Sequence, residues 1–137
     1  MQHDEMIGQI QHRARLASRG EAERITRATL ETLGERLTEG LADNLAAQLP
    51  VEIGEHLRRT EVLGGAGTGE RFDRDEFVDR VSERAGTEPP QTVFYIRTVL
   101  EVVDEATSGK IMQHVRESLP PDLRPLAAAG SLGQMRG

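Results

Sequence analysis

Four histidines, His3, His12, His56 and His114, are the residues of this 137-residue chain best suited to hold a metal or move a proton. Glu52 and His56 stand four apart, a spacing that on a helix brings a carboxylate and an imidazole to one ion. Two ligands do not make a site, and helical di-metal centres add Glu-x-x-His pairs from several helices, a spacing absent here. His12 and His56 therefore read as solvent-facing or hydrogen-bonded side chains. Among hydroxyl nucleophiles, Ser18, Ser82, Ser108, Ser118 and Ser131 lack the Gly-x-Ser-x-Gly turn. The carboxylate pairs Glu31/Glu35 and Glu101/Glu105 repeat at one helical turn and read as a solvated face with arginine partners. A working acid–base pair would need burial to separate its two pKa values. The chain is thus expected to be no enzyme and to carry no metal or cofactor.

Gly64, Gly65, Gly67 and Gly69 crowd the stretch Leu63 to Glu70. Such loops can cradle phosphate, but a P-loop needs a preceding strand and a following Gly-Lys-Ser/Thr, and neither is present. Asp73, Asp75 and Glu76 would repel an anion there, so the stretch reads as a linker. Arg13, Arg15, Arg19, Arg24 and Arg27 gather in the first helix–turn–helix, yet Glu21 and Glu23 dilute them. The formal net charge of −6 opposes nucleic-acid affinity, which requires a concentrated positive field. The most specific polar feature is the pair of pairs Arg27/Glu31 and Arg97/Glu101. Arg and Glu stand four apart in the longest helix of each half, where they could meet at the junction. A register-fixing salt bridge is the simpler reading of them, and a ligand-binding arginine pair the sharper one.

These residues need helices to position them. Met6, Ile7, Ile10 and Ala14 recur at helical period, as do Ile25, Thr29, Leu33 and Leu37. Ser18 with Glu21, and Asp73 with Glu76, have capping-box spacing, and Phe72 and Phe77 are placed for a hydrophobic staple. Leu41 and Leu45 lie in a shorter segment, and Pro50 opens another carrying Ile53 and Leu57. Pro89-Pro90 opens a long helix with Val93, Ile96, Val99, Leu100 and Val103, expected to be the most buried segment. Ile111, Met112 and Val115 form the next helix, and Pro120-Pro121 introduces a last short one through Leu123 and Leu126.

The order of these segments is itself repeated. Asp4 to Leu57 recurs as Asp75 to Leu126: Asp4-Glu5-Met6-Ile7 matches Asp75-Glu76-Phe77-Val78, and Arg27 to Leu33 matches Arg97 to Val103. One extra loop residue in the first copy shifts the offset from 71 to 70, after which Leu49-Pro50 falls on Leu119-Pro120. Two such units can bury apolar faces against each other. The expected fold is all-α: a two-repeat bundle of about four helices per repeat, related by a pseudo-two-fold. Residues 1–62 form the first repeat, 63–71 a linker, 72–126 the second repeat and 127–137 a flexible tail, together one compact domain.

The run Ile10 to Arg24, then Leu30 to Leu37 and Ala46 to Pro50, closely resembles the domain-of-unknown-function family numbered 2267. Phe72 to Phe77 and Leu119 to Leu126 resemble its second half. The resemblance implies a small, duplicated, all-helical domain of bacteria and archaea with no established activity and no catalytic residues to transfer.

There is no cysteine, no basic-then-apolar leader and no apolar run near the ~18 residues of a membrane span, so a cytoplasmic protein without membrane contact is expected. The expected role is a non-enzymatic interaction or adaptor module that binds a protein partner or itself, as a homodimer. The alternative is a small-ligand or metal-binding protein with its site between the repeats.

Overall fold

Ser18 ends one helix pair's turn and begins the next helix: its hydroxyl oxygen accepts from the backbone N–H of Glu21 at 3.1 Å. The Glu21 carboxylate accepts from the Ser18 hydroxyl at 3.1 Å and so closes the turn through side chains alone. Asp73 does the same work further on, accepting from Glu76 N–H at 2.9 Å. The Phe72 and Phe77 rings meet across that helix start, their centroids 6.1 Å apart, as a staple requires. In this computed structural model, which describes residues 1–62 and 72–127, such punctuation divides the chain into helices α1 (His3–Ala14), α2 (Arg19–Arg36), α3 (Glu39–Ala47) and α4 (Val51–Val62). After the linker come α5 (Arg74–Ala85), α6 (Pro89–Ala106) and α7 (Gly109–Ser118). The expected eighth helix is a 3-10 turn, Arg124–Ala127, because Pro125 cannot supply the N–H that a continuing α-helix needs. No strand occurs among the described residues. The linker, and all of the tail but Ala127, lie outside them.

The first two helices of each half match in length. α1 and α5 have twelve residues each, and α2 and α6 eighteen each. The turns between them also correspond. Arg15 (φ 56°) and Gly86 (φ 70°) both take the left-handed conformation that ends α1 and α5. α1 packs on α2 and α6, while α5 packs on α6 and α2; α2 lies against α6, and α3 against α7. Ion pairs run across the same contacts. Arg13 of α1 reaches Glu105 at 2.7 Å and Glu101 at 2.9 Å on α6. Arg84 of α5 reaches Glu35 of α2 at 2.8 Å, with Arg80 on the same carboxylate at 3.2 Å.

Two expectations need correcting. The carboxylates read as a solvated face are mostly enclosed: Glu31, Glu35 and Glu101 are 13–14% exposed, and only Glu105 is open at 44%. Their arginines come from other helices, which the sequence spacing along one helix does not reveal. The most buried segment is α2, with nine buried residues against seven in α6. Twelve-residue α4 covers α2, whereas only the four-residue 3-10 turn covers the matching face of α6.

The approach of α4 depends on two glycines. A Cβ on Gly34 would lie 2.5 Å from the carbonyl oxygen of Leu57, and one on Gly54 2.6 Å from that of Ala46. Both contacts are with backbone, which cannot step aside without moving α4. At the matching positions of the second half stand Asp104 and Arg124. Asp104 faces Arg116 at 3.7 Å, and Arg124 donates to the Leu119 carbonyl at 3.0 Å. Side chains thus fill the second half where backbone fills the first.

Candidate functional site

A cleft of about 470 Å³ opens within the first half, where the start of α1 and the first turns of α2 face α4. α1 contributes His3 and Ile7, α2 contributes Gly20, Glu23, Arg24 and Arg27, and α4 contributes Glu52, Ile53 and His56. Ile7 and Ile53 are 1% exposed and form an apolar floor. The polar groups stand around it. Glu52 and His56 occupy one face of α4, as their spacing requires.

His3 Nε2 lies 3.0 Å from the Glu23 carboxylate, and His3 Nδ1 lies 3.5 Å from Asp4. Asp4 in turn accepts from Arg19 at 2.6 Å, which ties the start of α1 to that of α2. Arg27 is half-exposed and its Nε stands 3.8 Å from Glu31, a carboxylate held more closely by Arg59 at 3.2 Å. Arg24 and Glu52 have no ion-pair partner among the described residues. They are the cleft's uncommitted charges.

His56 departs from its expected solvent-facing or hydrogen-bonded character. Its ring is largely enclosed, and Nδ1 is buried without a hydrogen-bond partner among the described residues. Burial first, then the nearby Arg59 and Arg27 guanidinium groups, push its pKa down to about 4 against a smaller opposing pull from Glu23. The imidazole is therefore neutral at physiological pH. A buried N–H without an acceptor costs more than a buried lone pair, so the proton belongs on Nε2. Nε2–H is then the donor the ring offers to the cleft.

A groove of about 430 Å³ occupies the corresponding place in the second half. There Arg74 stands for His3, Val78 for Ile7, Pro90 for Gly20 and Val93 for Glu23. Phe94 replaces Arg24, and Leu126 replaces His56. A smaller cleft of about 250 Å³ lies between the halves, walled by matching residues from each: Leu16 with Thr87, Glu21 with Gln91, and Ile25 with Tyr95.

The four residues singled out in the sequence are distributed as follows. Arg27 and Glu31 approach each other on α2, and Arg27 faces the first-half cleft. Glu101 on α6 is taken by Arg13 of α1, and Arg97 is partly buried on the same helix. The cross-half ion pairs run from Arg13 to Glu101 and Glu105 and from Arg80 and Arg84 to Glu35. A signal for these lay in the repeat, since Arg13 maps to Arg84 and Glu35 to Glu105, yet only packing reveals that the partners cross. Of the basic cluster at the first turn, Arg13 and Arg19 are committed to carboxylates at 2.7 and 2.6 Å, while Arg27 makes only the long 3.8 Å approach to Glu31. Among the described residues no group of three or more His, Asp or Glu side chains could hold a metal ion. No helix among them is long and apolar enough to cross a membrane.

No curated protein matches the chain. A family model matches residues 3–126, from the first residue of α1 into the 3-10 turn, in agreement with the resemblance carried by the sequence motifs. The chain belongs to that family, described as uncharacterized conserved protein DUF2267.

Proposed function

We propose that this protein is a non-catalytic helical binding module, its two related halves packed about a pseudo-two-fold, with the first-half cleft as the seat of a small polar ligand. The observation that carries the reading is the gathering of His3, Glu23, Arg24, Arg27, Glu52 and His56 around one apolar-floored cleft. Ligand sites combine such a floor with a few convergent polar groups. The pseudo-two-fold is supported by the equal helix lengths and by the exchange of contacts, α1 with α6 and α5 with α2. The crossed pairs Arg13–Glu105 and Arg84–Glu35 support it further.

His56 supports a binding role for the cleft: a general acid or base works best with a pKa near the operating pH, and an imidazole pushed down to about 4 is neutral there and serves as a hydrogen-bonding group. An adaptor surface would be expected to gather exposed apolar side chains into one patch. The exposed large hydrophobics among the described residues are Met1, Val51 and Phe94, which belong to separate segments. The polar cleft therefore has the stronger support.

The test is ligand-observed and protein-observed NMR with a library of charged and polar metabolites at millimolar concentration. A ligand is expected to move the His56 ring signals and those of Ile7 and Ile53, and His56→Leu, the second-half residue at that position, to abolish the effect. A library that leaves all these signals in place would overturn the reading.

A further inference from the structure

We infer that the ligand of this cleft is a small zwitterion, its carboxylate seated on Arg24 and Arg27 and its ammonium turned towards Glu52. The inference rests on the cleft reading above and adds the chemical class. It starts from which charges are already spent. Glu23 is engaged by His3 at 3.0 Å, and Glu31 by Arg59 at 3.2 Å. Arg27 keeps only a long 3.8 Å approach to Glu31, so its guanidinium retains donors to give. Arg24 and Glu52 have no ion-pair partner among the described residues. The unspent set is thus two guanidinium groups on α2 and one carboxylate facing them from α4.

A carboxylate alone would satisfy the arginines and leave Glu52 repelling it; an amine alone would meet the reverse. A molecule carrying both charges answers both walls of the cleft, and arginine's planar fork can take a carboxylate through two parallel hydrogen bonds. The neutral His56 ring adds one donor through Nε2 without adding charge, so the cleft does not favour a doubly anionic group such as phosphate over a carboxylate. The second half gives an internal contrast. At the Arg24 position it has Phe94, at the Glu23 position Val93 and at the His56 position Leu126, and its groove is lined by a single guanidinium, Arg74, beside the carboxylates Asp75 and Asp79, so it lacks the paired arginines.

Isothermal titration and NMR on the intact protein distinguish the cases with three matched probe series. These are the amino acids from glycine through 4-aminobutyrate to 6-aminohexanoate, the acids of equal length, and the amines of equal length. At least one amino acid is expected to bind ten or more times more tightly than its acid and amine counterparts while moving the His56 signals. Glu52→Gln is expected to remove that tenfold advantage over the acid, and Arg24→Gln the advantage over the amine. Both side chains are exposed, so neither change should unfold the protein. Acids that bind as tightly as amino acids, with no effect of Glu52→Gln, would overturn the zwitterion and leave the cleft as a plain anion seat. Silence from all three series, with a different library member moving His56, would likewise overturn it and spare the cleft; silence from everything would overturn both.

Discussion

The first and second halves of the chain each pack a twelve-residue helix on an eighteen-residue one and line the neighbouring corner differently. In the first, α4 leans so closely on α2 and α3 that Gly34 and Gly54 must lack side chains, and the corner becomes a polar cleft around His56. In the second, Asp104 and Arg124 fill those positions, the last described element is a 3-10 turn, and the corner presents Arg74, Asp79, Pro90 and Val93. The lesson is that a bundle can hold one frame through its apolar positions while the residues at a helix–helix notch decide whether the notch becomes a site.

The comparison breaks most completely at Gly34. Gly34→Asp, the second-half residue, places a Cβ 2.5 Å from the Leu57 carbonyl. It is expected to lower unfolding free energy by about 3 kcal/mol in urea titrations, as overpacked backbone contacts do, and to disperse the His56 signals as α4 moves off. The crossed ion pairs give the next effect. Glu35 is nearly enclosed and accepts from two arginines, so Glu35→Ala removes two partly buried ion pairs, although Arg80 keeps Glu76 and Arg84 keeps the Thr32 hydroxyl, and should cost about 2 kcal/mol. Glu105, at 44% exposure, holds one arginine, and Glu105→Ala should cost under about 1 kcal/mol by the same measurement. Equal losses would contradict the difference in burial.

Acid stability sharpens the contrast further. His56 has a native pKa of about 4 against an ordinary value near 6.5. Between those values the unfolded chain takes up a proton that the native protein refuses, so stability is at its full value above pH 6.5 and declines as pH falls to about 4. Thermal melts across this window should show a loss of about 1 kcal/mol, after discounting for solvent around the ring, and His56→Leu should flatten it. Arg13 holds the Glu105 carboxyl below its ordinary value. Its contribution is present above the ordinary carboxylate pKa and is lost at lower pH, as the carboxyl titrates in the native protein. The smallest effect concerns the two left-handed caps. Arg15→Gly relieves a strained φ of 56° that Gly86 meets without a side chain, and should raise stability by about 0.5–1 kcal/mol.

Most of the frame was legible in the residues, because caps and stripes act locally. Ser18, Asp73, the Phe72–Phe77 staple and Pro89-Pro90 mark helix starts by chemistry that needs only three or four neighbours. α4 was underestimated as a short segment after Pro50; it runs twelve residues, since nothing before Leu63 breaks it. The site was legible only in part. Glu52 and His56 could be assigned to one helical face, but the imidazole is silenced first by burial and then by Arg59 on α4 and Arg27 on α2, and that enclosure exists only in the packed fold. Likewise, Glu35 and Glu101 look solvated along their own helices and are covered by arginines from beyond them. Burial of a charged group is a property of the packed pair, and no spacing within one helix encodes it.

The reciprocal pairs Arg13–Glu105 and Arg84–Glu35 mean that each half carries both sides of the same fastening. Two copies of the first half, arranged as the proposed pseudo-two-fold arranges the two halves, would offer Arg13 to Glu35 in both directions. Joining the halves in one chain replaces an encounter between molecules by an internal one, which raises the effective concentration of each half for the other. Assembly then no longer depends on how much protein is present. It also frees the halves from identity: a self-pairing chain must place every substitution on both sides of its axis, whereas this one can set two arginines and two histidines around one corner and a single arginine with Pro89, Pro90 and Val93 around the other.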